Sequence, residues 1–116
     1  MKTEIVVTNN FQKEAKRFFK KYRSLKAELE ALYELLNRNP QTGTPIGNNS
    51  HKIRISVKSK GRGKSAGLRV ITYLDVNLIF DEMHNKLFLL SIYDKSETET
   101  LSEAEISSII KRIKLN

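Results

Sequence analysis

The chain has 116 residues and no cysteine, so we expect a single domain (residues 1–116) that is held together by neither disulfides nor a thiolate-bound metal. Its 21 lysines and arginines outnumber its 13 acids, and no acid occurs between Leu35 and Leu74, so this window should attract polyanions. No N-terminal leader pattern and no apolar run near the roughly 20 residues of a membrane span occur, which predicts a cytoplasmic protein without a membrane partner.

The first forty residues predict a strand followed by two helices. Residues 3–8 are rich in β-branched side chains, and Asn9 and Asn10 can cap the helix that follows. Each helix has an apolar face at helical spacing: Phe11, Ala15, Phe18, Phe19 and Tyr22 in the first, and Leu25, Leu29, Leu32 and Leu36 in the second. Ser24 can cap the second helix and Asn39-Pro40 ends it, which predicts an αα-hairpin.

The remaining residues predict a meander of strands and a last helix. Residues 40–51 have the composition of a loop. Four short β-branched or aromatic segments follow, at 51–57, 67–74, 76–82 and 86–93, with a hairpin turn expected at Met83-His84-Asn85. Ser102 and Glu105 form a capping box before an isoleucine stripe. The sequence predicts an α+β domain of order β-α-α-β-β-β-β-α, with a small, mostly antiparallel sheet, an N-terminal helical hairpin and a C-terminal helix.

The strand at 51–57 alternates cations with isoleucines, so Lys52 and Arg54 should share one face of the sheet. Arg69, between Leu68 and Val70, should join them, because burial of an unpaired charge is costly. This predicts one apolar face, covered by the helices, and one basic face. Between these strands we expect a mobile basic loop, whose cations would attract a nucleic-acid backbone without sequence preference: Lys58, Lys60, Arg62 and Lys64.

Several alternative sites are disfavoured. The glycines of GRGKS lack the spacing of a nucleotide-binding phosphate loop, and His51 and His84 are far apart, with no carboxylate near His51. We therefore expect no metal and no small-molecule cofactor.

Two segments, KIRISVKSKGRGKSAGLRVITY and LLSIYDKSETETLSEAEI, resemble the RelE/HigB-type toxins of the RelE/ParE superfamily. The helix motif F-x-K-E-x-K-R-x-x-K-K-Y and the Asn39-Pro40 helix end also resemble that family, so the resemblance covers nearly the whole chain. It implies a sheet with helices on one face, a basic concave face, cleavage of mRNA in the ribosomal A site and inhibition by a cognate antitoxin. The chain departs from the family pattern at Leu101, where some ribonuclease members have tyrosine, and at Ala66, where a glycine is usual.

By position, the resemblance makes Lys52 and Arg54 the paired cations of the family's second strand and Arg69 its phosphate-binding arginine. Lys95 falls near a basic residue of the closing segment, and Tyr93 is the candidate to replace the missing tyrosine. These residues predict metal-independent cleavage, in which the 2′-hydroxyl attacks the adjacent phosphate. Lys52 would act as base and Lys95 or Tyr93 would protonate the leaving oxygen. Two alternatives stay open: a ParE-like inhibitor of DNA gyrase, and an inert module that binds RNA or an antitoxin.

Overall fold

The computed structural model describes residues 2–60, 67–79, 82–97 and 101–114. In chain order the elements are β1 (Lys2–Val7), α1 (Asn9–Lys21), α2 (Leu25–Arg38), β2 (Thr44–Gly47), β3 (Ser50–Ile55), a 3-10 turn (Lys58–Lys60), β4 (Leu68–Ile79), β5 (Glu82–Asp94) and α3 (Glu103–Lys114). None of the helices within these ranges is long and apolar enough to cross a membrane.

The five strands form one sheet in the order β1-β5-β4-β3-β2, so the α+β class is confirmed. The sheet is mixed: β1 runs parallel to β5, and the other three pairings are antiparallel. Parallel neighbours need a crossover, and here the helical hairpin and three strands lie between β1 and β5 in the chain. The first and last strands in the chain, β1 and β5, are therefore neighbours in the sheet.

The predicted strand order is not confirmed, because three of the strands differ from the predicted segments. β2 lies inside the expected loop at 40–51, where Asn48 and Asn49 take the positive φ values (52° and 57°) of a tight hairpin turn. The segments 67–74 and 76–82 are not separated by a turn, since Asp75 pairs in register with Lys86 within the β4–β5 ladder. Met83–Asn85 likewise lie inside β5 instead of forming the expected turn.

One face of the sheet, here called the hairpin face, packs against α1 and α2. Its core joins the apolar stripes of both helices to alternate strand residues: Ile53, Ile55, Leu68, Val70, Leu74, Leu87, Leu89 and Ile92. Phe19 is exposed, so it does not belong to the helix face on which it was predicted. The cap of α1 is Thr8, whose Oγ1 accepts from the Phe11 backbone N–H at 3.1 Å, and not Asn9 or Asn10.

The opposite face, here called the α3 face, carries the last helix. Ile106, Ile109 and Ile110 pack there against alternate sheet residues, namely Ile71, Tyr73, Leu90 and Tyr93. The predicted Ser102–Glu105 capping box starts α3, with the two reciprocal bonds at 3.1 and 3.2 Å. The expectation of helices on one face only is therefore wrong. A β-bulge at Leu90, where Ile71 pairs with Ser91 and Thr72 with Leu89, adds an apolar residue to this face.

Candidate nucleic-acid interface

Three of the candidate residues form one row across the α3 face, here called the arginine row. Arg54 of β3 lies opposite Arg69 of β4, which lies opposite Tyr93 of β5. Residues opposite one another in an antiparallel ladder have Cβ atoms about 5 Å apart, so the three side chains start as direct neighbours. Lys52 begins the next row on the same face, where it lies opposite Ile71. Strand register thus brings four of the five candidate catalytic residues together.

The residues of this cluster differ in exposure. Arg54 is exposed and Lys52 is half-buried, whereas Arg69 is only 2% exposed and Tyr93 only 5%. Arg69 donates from Nη1 to the carbonyl oxygen of Leu68 at 3.5 Å. Tyr93 belongs to the core under α3. Consequently Arg54 and Lys52 are the cations that a polyanion would contact first. Arg69 and Tyr93 are buried beside them on the same face of the sheet.

The expected basic loop begins as a fixed 3-10 turn. The Lys58 backbone N–H donates to Glu28 Oε2 at 2.8 Å, and the Ser59 backbone N–H donates to Ser24 Oγ at 3.0 Å. Ser24 was predicted to cap α2, but its hydroxyl makes no cap bond and instead contacts Ser59 and Glu28. The start of α2 therefore holds this turn in place. Lys58 remains exposed, and Arg62 and Lys64 lie outside the described residues.

Lys60 is engaged inside the protein. Its Nζ lies 2.8 Å from Asp94 Oδ2, and the two side chains are 17% and 3% exposed. Burial alone would raise the pKa of Asp94, but hydrogen bonds from Lys60 and Ser96, together with the Lys60 charge, lower this pKa from 3.8 to about 2. The ion pair ties the 3-10 turn to the end of β5. Lys95, the next residue, is exposed.

Glu14 is a carboxylate whose position the sequence did not indicate. Its Oε1 accepts from Ser91 Oγ at 2.8 Å, Asn10 Nδ2 at 2.9 Å and the Ile92 backbone N–H at 3.3 Å. Burial raises the pKa of Glu14, although these hydrogen bonds oppose the rise. The pairing of β1 with β5 ends at Val7 opposite Leu89, and Glu14 contacts the β5 backbone beyond that point, at Ile92. Glu14 thus joins α1 to β5.

The two histidines do not form a metal site in the described part of the chain, where no group of three or more potential metal ligands occurs. His51 lies opposite Thr72, and its Nδ1 is buried. Burial lowers the pKa of His51, which favours the neutral imidazole. His51 therefore lies on the hairpin face, on the other side of the sheet from Lys52 and Arg54.

The arrangement can hold phosphate and concentrate positive charge, using one exposed arginine, one lysine and a buried arginine behind them. No protein-family model matches this chain, and no solved structure matches it. The likeness to RelE/ParE toxins therefore depends on the sequence motifs.

Proposed function

We propose that this protein is a cytoplasmic toxin of the RelE/ParE superfamily that cleaves mRNA on the ribosome without a metal ion. The ordered motifs of the sequence support the family, and the grouping of Lys52, Arg54, Arg69 and Tyr93 on one face supports the chemistry. The expected partners are the ribosome with its mRNA, and a cognate antitoxin.

The register of Arg54 against Arg69 is the observation that carries the proposal. Like charges placed directly opposite in a sheet destabilise it, by a magnitude of roughly 0.2–1 kcal/mol. Here the pair also lies next to Lys52, and no acid occurs on β3 or between β3 and β4. Arg54 is the exposed member of this pair, so a phosphodiester could bind there beside Lys52.

In the proposed reaction the 2′-hydroxyl of one nucleotide attacks the adjacent phosphorus. Lys52 takes the hydroxyl proton while the new O2′–P bond forms and the P–O5′ bond breaks. Arg54 binds the phosphate oxygens in a bidentate grip, and the buried charge of Arg69 stabilises the dianionic phosphorane from below. A proton from Lys95 or Tyr93 goes to the leaving O5′. The products are a 2′,3′-cyclic phosphate and a 5′-hydroxyl, so no external reactant is needed.

The burial of Tyr93 and Arg69 favours a second candidate, an inert module that binds RNA or an antitoxin. A tyrosine that is only 5% exposed offers little surface to a leaving oxygen. Under this alternative the exposed cations still bind RNA, but no bond is broken.

The test incubates the purified protein with translating ribosomes and maps mRNA ends by primer extension. We expect cuts with the wild type, and loss of most cleavage in Lys52→Ala and Arg54→Ala. Arg38→Ala, which removes an exposed arginine at the end of α2, is the matched control and should cleave normally. Circular dichroism checks that each variant is folded. Wild-type cleavage by both folded strand variants would refute the site, and ribosome binding without any cuts would favour the inert module.

Expression of the chain alone should arrest growth, and co-expression of the antitoxin should relieve the arrest. Acidic antitoxin residues opposite Lys52 and Arg54 would accelerate association, while apolar contacts would supply most of the affinity. The association rate measured by stopped flow should therefore fall steeply as salt rises. An association rate that is independent of salt would place the antitoxin on another surface.

A further inference from the structure

The outward side of α1 is a second basic surface. Lys13, Lys16 and Lys20 are exposed along it, with Arg17 and Lys21 beside them, and we call these five residues the α1 surface. The inward side holds Phe11, Ala15 and Phe18 in the core of the hairpin face. Because Lys52 and Arg54 lie on the α3 face, the two basic surfaces are on opposite sides of the sheet.

The charge of this surface is barely compensated. The only acid in α1 is Glu14, and its carboxylate is turned towards Ser91 and the backbone of Ile92. Within the described ranges no ion pair involves Lys13, Lys16 or Lys20, whereas Arg17 pairs with Glu97 at 2.8 Å on the surface. The three exposed lysines are therefore available to an external anion.

We propose that the α1 surface binds the phosphate backbone of a structured RNA, separate from any strand held at the arginine row. At about 1.5 Å per residue, Lys13 and Lys20 lie about 10 Å apart along the helix axis, with Lys16 between them. This rigid row is matched to a polyanion with regularly spaced charges, such as successive phosphates of one strand. The choice of RNA rests on the proposed function, in which the protein works on the ribosome.

A membrane surface fits the same helix less well. A helix that lies in a lipid interface inserts an apolar face, and the apolar face of α1 is already used in the core. Phe19, 43% exposed, is the only large apolar side chain exposed on α1. Anionic vesicles are therefore the competing probe in the experiment below.

The experiment measures binding of the full chain to a fluorescein-labelled RNA hairpin by anisotropy, across a salt series. The test variant is Lys13→Gln/Lys16→Gln/Lys20→Gln. The matched control is Arg23→Gln/Lys26→Gln/Arg38→Gln, which removes the same charge from exposed positions outside the α1 surface. Each lost phosphate contact lowers the slope of log affinity against log salt by about 0.7–0.9. We expect the test variant to lose about 2 in slope and to bind roughly 100-fold more weakly at 0.1 M salt, by the same relation.

The control should retain a slope close to that of the wild type. Equal slopes for the test and control variants would overturn the proposal, because net charge alone would then explain binding. Loss of binding to anionic vesicles with unchanged RNA binding would also overturn it, in favour of a membrane surface. The primer-extension assay distinguishes this proposal from the nuclease proposal. If the wild type makes no cuts in mRNA but binds the RNA hairpin through α1, the α1 proposal is supported and the nuclease proposal is refuted. If the wild type cuts mRNA and the triple-lysine variant binds the RNA hairpin as tightly as the wild type, the α1 proposal is refuted and the nuclease proposal is not.

Discussion

Replacement of Asp94 by asparagine should destabilise the fold strongly, because it removes one side of a largely buried ion pair. A carboxyl pKa lowered from 3.8 to about 2 corresponds to about 2 kcal/mol of stability at neutral pH. Loss of one partner from a fully buried pair costs about 3–5 kcal/mol, but Lys60 is 17% exposed and can turn towards water. We expect Asp94→Asn to lower the free energy of unfolding by about 2–3 kcal/mol and the melting temperature by roughly 10 °C.

Urea unfolding followed by circular dichroism at several pH values is the assay. Because folding lowers this pKa, the contribution is present above about pH 4 and is lost as the pH falls from about 4 towards about 2. The difference between wild type and variant should therefore shrink over that interval. Glu97→Gln is the control, since its ion pair with Arg17 is on the surface and should contribute at most about 1 kcal/mol. Equal stability of Asp94→Asn and wild type at pH 7, or a difference that is constant down to pH 2, would refute the assignment.

Four further substitutions test the packing and the cap of α1. Phe18→Ala should cost about 3–5 kcal/mol in urea unfolding and its neighbour Phe19→Ala less than about 1, since Phe18 is fully buried and Phe19 is 43% exposed; similar losses would contradict the assigned helix face. Thr8→Ala should cost about 1 kcal/mol by the same measurement through loss of the α1 cap, and a neutral result would mean that another group caps the helix. Gly67→Ala should lower the melting temperature, because a Cβ there would collide with the carbonyl oxygen of Ile55; an unchanged melting temperature would exclude this close approach.

The sequence predicted the helices better than the strands, because the apolar stripe of a helix is a local pattern. The leucine stripe of α2 and the Ser102–Glu105 box of α3 each come from residues within one turn or a few turns of one another. The pattern at 51–57 also placed Lys52 and Arg54 on one face and their isoleucines on the other, since alternation is local. Features that depend on residues close in sequence could therefore be predicted.

Features that depend on residues distant in sequence could not be predicted. Asp75 looks like a turn residue, but in the structure it continues β4 because Lys86 lies opposite it on β5. Arg69 is only 2% exposed despite its charge, which its neighbours in sequence do not indicate. Lys60 appeared to be one cation among many in a loop, and only the fold brings it to Asp94, 34 residues away. The errors at Asp75 and Lys60 arise from contacts between segments that the local pattern does not connect.

The positions of the acids explain how a moderately basic chain presents two strongly basic surfaces. Glu14 is the only acid of α1, and it is directed at β5 and away from the outward lysines. Asp94 neutralises Lys60 within the protein and leaves Lys58 and Lys95 exposed on either side of the pair. Glu14 and Asp94 are thus used for internal contacts, whereas Glu97 pairs with Arg17 on the surface. Exposed cations therefore lie on both sides of the sheet, with the α1 lysines on one side and Arg54 on the other.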